Sequence, residues 1–199
     1  KRLDEALGRL FDALRSLGLL DNTIVLFTSD HGCHFKTRNS EYKRSCHESS
    51  IRVPTAICGP GFDGGGELSQ LVSLIDLPPT LLDAAGLPIP LAMEGRSILP
   101  LAQKQTTAWP EEVFVQISES QVARAIRTQR WKYCVNAPDR TGWLHANADH
   151  YVEEALYDLH ADPYELENLA GIDAFRAVAD DLRQRLIARM VAAGERAPT

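Results

Sequence analysis

Residues 22–54 read NTIVLFTSDHGCHFKTRNSEYKRSCHESSIRVP, and the rest of the chain takes its meaning from them. Ile24, Val25, Leu26, Phe27 and Thr28 form an unbroken β-branched and aromatic run, which suits a strand buried on both faces of a parallel sheet. Ser29, Asp30, His31 and Gly32 follow at once, at the carboxyl end of that strand, where open α/β sheets bind their ligands. Then His34, Lys36, Arg38, Lys43, Arg44 and His47 crowd together in a chain whose formal net charge is -6. So dense a basic cluster in an acidic chain points to an anion. An acid and a neighbouring ligand able to hold a cation, beside basic residues able to hold sulfate or phosphate, make the layout of metal-assisted ester hydrolysis.

Three features give this stretch a family likeness: a strand ending in Thr28-Ser29-Asp30-His31-Gly32, Lys43 thirteen residues after Asp30, and Ile51-Arg52-Val53-Pro54 leading to a short strand and the turn Gly59-Pro60-Gly61. In order and spacing they resemble the sulfatases of the alkaline phosphatase superfamily. The likeness continues through Asp76-Leu77-Pro78-Pro79-Thr80-Leu81-Leu82 and Leu156-Tyr157-Asp158-Leu159, with Asp162-Pro163 and Glu165. The resemblance implies an α/β fold, the C-terminal part of an alkaline-phosphatase-like mostly parallel sheet with flanking helices, plus a small antiparallel sheet packed by a C-terminal helix.

The resemblance also implies roles. Asp30 and His31 would be half of a divalent-metal site, for calcium with magnesium as the alternative, completed by an Asp-Asp pair expected near the start of the full protein and absent from that position here. Calcium prefers all-oxygen shells, so His31 is a less comfortable ligand than the Asn of many relatives, and two ligands alone would not hold the ion tightly. Lys43 would donate to a sulfate oxygen. His47 would protonate a leaving group or serve as a structural histidine. His34, Lys36, Arg38 and Asn39 would line a pocket for a sulfated small molecule or carbohydrate. The nucleophile of the family is a formylglycine made from a C/S-x-P-S-R motif, and no such motif occurs in these residues. Sulfatase turnover by this chain alone is therefore not expected. A phosphoester or phosphonate hydrolase of the same superfamily, and a non-catalytic binding module, are the alternatives.

With 199 residues, 44% hydrophobic and 24% charged, the chain is long enough for one large or two small domains of ordinary globular composition. Its mild acidity argues against general nucleic-acid or membrane-surface binding, and no apolar run reaches the length of a membrane span. Cys33, Cys46, Cys58 and Cys134 show no C-x-x-C spacing. Cys58 reads as a buried thiol in an apolar strand. A Cys33–Cys46 bridge is possible, with unpaired thiols preferred.

Leu3, Ala6, Leu7, Leu10, Phe11, Leu14 and Leu17 recur at three and four, predicting an amphipathic helix that ends near Gly18. A helix running into a buried strand reads as the second half of a βαβ unit, so a partner N-terminal half is expected upstream. Such a piece would expose apolar surface and self-associate. Residues 55–58 and 71–75 read as short strands, and Asp76 as the cap of a helix closing at Gly86. A polar stretch near Gln103 suggests domains at 1–102 and 103–199. Beyond it, Val113–Ile117, Val122–Ile126, Trp131–Val135 and Leu156–Leu159 read as antiparallel strands, 136–151 as an irregular insertion, and the residues from Asp173 as a helix covering the sheet. Glu48 and Arg52 are read as a scaffold pair, and Trp131 and Trp143 as packed in the core.

Overall fold

The computed structural model describes residues 1–196 and Pro198, which fall into two compact units. One contains residues 1–29 and 54–108, the other 30–53 and 109–199. The basic segment after the first strand thus groups with the C-terminal sheet, 55 residues away along the chain from Val53 to Ala108.

In the first unit, helix α1 (Arg2–Ser16) forms as its three-four periodicity predicts, and Gly18 follows with φ 65°. Its apolar face is partly covered: Leu7, Phe11 and Leu14 are half-buried, whereas Leu3 is 61% and Leu10 48% exposed. Strand β1 (Val25–Phe27) pairs antiparallel with β2 (Ala56–Cys58), and among the described residues β2 is its one sheet partner. The strand is half-buried rather than buried on both faces, and Cys58 is exposed rather than buried, because so small a sheet shields little surface.

Residues 71–75 do not form the expected strand. Leu74–Asp76 is a 3-10 turn, closed where one Asp76 carboxylate oxygen accepts from the Ser73 N–H at 2.8 Å. The other accepts from the Arg96 N–H at 2.8 Å, so Asp76 caps the turn and pins a distant loop instead of capping helix α3 (Leu77–Ala84) with its side chain. Gly95 is required beside this contact, since a Cβ there would sit 1.9 Å from the Ile75 carbonyl oxygen. Thr80 completes the link by donating to Asp76 O and accepting from Ile98 N–H, ahead of the short helix α4 (Leu99–Ala102).

The second unit is an antiparallel meander, β3 (Glu112–Ile117), β4 (Ala123–Thr128), β5 (Trp131–Asn136) and β6 (Val152–Asp158), with helix α5 (Arg176–Ala192) on one face. Strand alternation divides the residues. Ile126, Tyr133, Val135 and Leu156 face Leu182, Leu186 and Met190 of α5. Ala123, Ala125, Cys134, Ala155 and Tyr157 face the other way, toward Cys46 of the basic segment. Both sides of the sheet are therefore covered, one by a helix and one by loop. The strand β6 starts four residues earlier than the expected Leu156, because Glu153 and Glu154 hide a paired register behind charge. Trp131 packs against Phe175, whereas Trp143 is 66% exposed with the Arg44 guanidinium over its ring.

A buried ion cluster locks the loop face of the sheet. Lys132 on β5 is fully buried, with Nζ 2.7 Å from Glu48 and 2.5 Å from Glu165. Glu48 pairs with Lys132 and Arg127 rather than with Arg52, since the short helix α2 (Glu48–Ile51) ends before Arg52. Glu165 sits at φ 55°, a left-handed conformation held by its bonds to Lys132 and to the Glu48 N–H.

Candidate active site

The chain leaves β1 and turns at Gly32, whose N–H donates to Ser50 O at 2.7 Å and whose missing Cβ would lie 2.1 Å from Ser49 O. No other residue fits this close approach to the α2 backbone. The turn sets the ring of His31. A carbonyl can only accept, so the 2.7 Å contact from Nδ1 to Gly32 O places the proton on Nδ1. Nε2 is then an acceptor, and Lys43 Nζ donates to it at 2.8 Å. The Asp30 carboxylate lies 3.3 Å from the same Nε2. Tyr42 supports both partners, edge-on to His31 at 6.0 Å and with its ring 5.5 Å from Lys43 Nζ. Asp30, His31 and Lys43, thirteen residues apart at the extremes, are thus gathered at one point.

The remaining candidates have other surroundings. Arg38 donates to the carbonyls of Glu165 and Tyr164 at 2.7 and 2.5 Å, which fixes the guanidinium without neutralising it. Asn39 is spent on its own loop, donating to Arg44 O and accepting from Glu41 N–H. Lys36 is exposed in a left-handed turn with Phe35. His34 is 2% exposed, and neither ring nitrogen has a hydrogen-bond partner among the described residues. His47 contacts Ser45 Oγ at 3.1 Å through Nδ1 and Tyr157 OH at 3.3 Å through Nε2. Burial first, then the charges of Arg38 and Lys132, lowers its pKa to about 4, so it is a neutral imidazole at neutral pH.

Arg38, Asn39 and His47 line a cavity of about 330 Å³ in the second unit, together with Cys46, Cys134 and Glu154. Tyr157 lines it as well, and neither Tyr157 nor Glu154 is marked as a site residue by the sequence. Glu154 has its carboxyl pKa raised by burial, and Tyr157, read as a structural motif residue, has its hydroxyl pushed up to about 12 by burial while touching His47. Tyr157 lies 110 positions from His47, so no local spacing announces the contact.

Among the described residues no group of three or more His, Cys, Asp and Glu side chains is placed to hold a metal ion. Asp30 and His31 offer one carboxylate and one imidazole nitrogen on a common side, a donor set that fits half of a divalent-cation site. No helix of the described residues is long and apolar enough to cross a membrane.

The fold is that of an α/β protein, and its similarity to known proteins assigns the family. Residues 40–192 match the family model for N-sulphoglucosamine sulphohydrolase, C-terminal. The chain belongs to the sulfatase family and has the alkaline-phosphatase-like α/β fold of solved sulfatases. It is 36% identical over 193 residues to arylsulfatase K of Bos taurus, covering 92% of this chain and 34% of that relative. The chain thus spans about a third of the length of this curated relative. Among solved structures it is similar to BT4656 in complex with its substrate D-glucosamine-2-N,6-O-disulfate, with a TM-score of 0.74 and 28% identity over 94% of this chain and 38% of that one. It is also similar to the phosphonate monoester hydrolase of Agrobacterium radiobacter, with a TM-score of 0.78 and 26% identity over 95% of this chain and 39% of that one.

Proposed function

We propose that this chain supplies part of the active site of a sulfatase that hydrolyses a sulfate ester of a carbohydrate or other small molecule. The observation that carries the reading is the convergence of Asp30, His31 and Lys43 at Gly32. Lys43, held by an imidazole and an aromatic ring, would donate to a sulfate oxygen as charge builds on it. Asp30 and His31 Nε2 would hold a divalent cation, calcium or magnesium, which when bound polarises the sulfate. Because Nδ1 is committed to Gly32 O, Nε2 is the ligand nitrogen, and Lys43 must turn from it toward substrate. Arg38, held by two backbone carbonyls beside the cavity, would bind an anionic or hydroxyl-rich part of the substrate. His47, neutral above about pH 4, would act on a leaving group only through its N–H.

The nucleophile is proposed to be a formylglycine from a part of the enzyme other than these residues, so the isolated chain is expected to be inactive. The test is hydrolysis of an aryl sulfate by the full-length protein with calcium or magnesium and after chelation. Metal-dependent release of the aryl alcohol supports the reading, and the same rate after chelation or none at all sinks it. The likeness to a phosphonate monoester hydrolase favours a second reading, phosphoester or phosphonate hydrolysis at the same residues. A faster rate on the aryl phosphate or phosphonate than on the sulfate would select it.

A further inference from the structure

Two of the four cysteines meet inside the second unit. Cys134 lies on β5 on the face turned away from α5, with Ala125 of β4 and Ala155 of β6 opposite it in register. Methyl-sized neighbours leave nothing bulky above it. Cys46, from the loop between Lys43 and His47, packs in the same buried cluster on this face of the sheet and lines the same cavity as Cys134. Cys46 is 4% exposed and Cys134 2%, yet both line the cavity of about 330 Å³, which gives a small reagent access. The register of β5 against β6 shifts between Cys134 and Val135, so the backbone at this point is not locked into a regular ladder. Cys33 and Cys58, half-buried and exposed, do not share this cluster.

We propose that Cys46 and Cys134 are a redox-responsive thiol pair that closes to a disulfide by exchange with a small-molecule disulfide such as oxidised glutathione. The bond would tie the loop carrying Lys43 and His47 to the central strand of the sheet. In the first step the Cys46 thiolate attacks one glutathione sulfur, breaking that S–S bond and releasing one glutathione thiolate. Cys134 then loses its proton and attacks the Cys46 sulfur, forming the protein disulfide and releasing the second glutathione. Two protein thiols are oxidised, one glutathione disulfide is reduced to two thiols, and the protons pass to the leaving thiolates. Contact with Cys46 and burial push the Cys134 thiol up, so closure is slow at neutral pH and faster in mild alkali. Bonding requires the sulfurs to close to about 2.05 Å, and the irregular loop that carries Cys46 is the element that would move.

The experiment is peptide mapping without reduction, after the native chain has been incubated with oxidised glutathione in mildly alkaline buffer and remaining thiols have been alkylated in denaturant. The expected product is a Cys46 peptide linked to a Cys134 peptide, lighter by two hydrogens than the sum of the two and separated by dithiothreitol. In C134S the expected product is a lasting glutathione adduct on Cys46. Recovery of both cysteines as alkylated free thiols, or Cys46 linked to Cys33, overturns the proposal. Thermal melting guards against a misfolded single variant: oxidised glutathione should raise the melting temperature of the parent chain by several degrees and leave C46A/C134A unmoved. An equal shift in both proteins would also overturn it.

Discussion

Lys43 Nζ lies 2.8 Å from His31 Nε2, and this contact joins the end of a strand to the middle of a basic loop. It holds an ammonium at the same imidazole nitrogen that the Asp30 carboxylate approaches, the other nitrogen being bound to Gly32 O. On the proposed sulfatase reading, removing the ammonium takes away a donor needed only as charge develops on the sulfate. K43A in the full-length enzyme should lower kcat on an aryl sulfate by about 10²–10³-fold with little change in melting temperature. A change in kcat of under about threefold would remove Lys43 from the chemistry.

Gly32 holds the same site from the backbone side. In G32A the added methyl would sit 2.1 Å from Ser49 O, so the turn must open and its 2.7 Å bond to Ser50 O must stretch. The expected loss of stability is about 1–3 kcal/mol, read from urea unfolding of the chain. A midpoint equal to that of the parent would show that the turn relaxes freely.

Lys132 is the most consequential charge in the second unit. K132A leaves the buried Glu165 carboxylate without its cation and Glu48 with Arg127 alone, at an expected cost of about 3–5 kcal/mol. Arg130 pairs with Asp158 from a side chain 54% exposed to screening solvent, so R130A should cost far less than K132A. Urea unfolding of the two variants side by side checks the order, and equal losses would contradict the assigned burial.

Acid should weaken the fold through His47. Its native pKa is lowered by burial to about 4, from an ordinary 6.5, so between those values the unfolded state binds the proton and the native state does not. Stability is therefore full above pH 6.5 and is lost as pH falls toward 4. Glu48 acts in the same direction at lower pH. Burial alone would raise its carboxyl pKa, but Lys132 and Arg127 outweigh burial and hold it below the ordinary value. H47Q, which cannot charge, should flatten the slope of urea midpoint against pH in the upper window. A slope as steep as that of the parent would assign it to other groups.

Much of this molecule is readable from short windows. The leucines of α1, the spacing of Leu182, Leu186 and Met190 in α5, and the alternation in β3, β4 and β5 each repeat within a few residues. The order Asp30, His31, Gly32 followed by Lys43 is likewise legible as a motif, and the fold brings the three side chains together. Where a window misled, the cause was a bond from outside it. Residues 71–75 look extended, yet the Asp76 carboxylate closes them into a turn and ties them to Arg96. Glu48 has Arg52 four places away, yet it turns to Lys132 and Arg127 on the sheet.

By itself the sequence determined the elements, the family likeness and the cluster of basic residues, because periodicity and motif spacing are local properties. Only the tertiary structure decided that Cys46 meets Cys134, that His47 meets Tyr157, and that Lys132 lies between two glutamates. Those partners are set by the register of the sheet and by which loop covers its second face. Register is a long-range outcome of packing, since each strand's alternation says which residues share a face and not what will lie upon it.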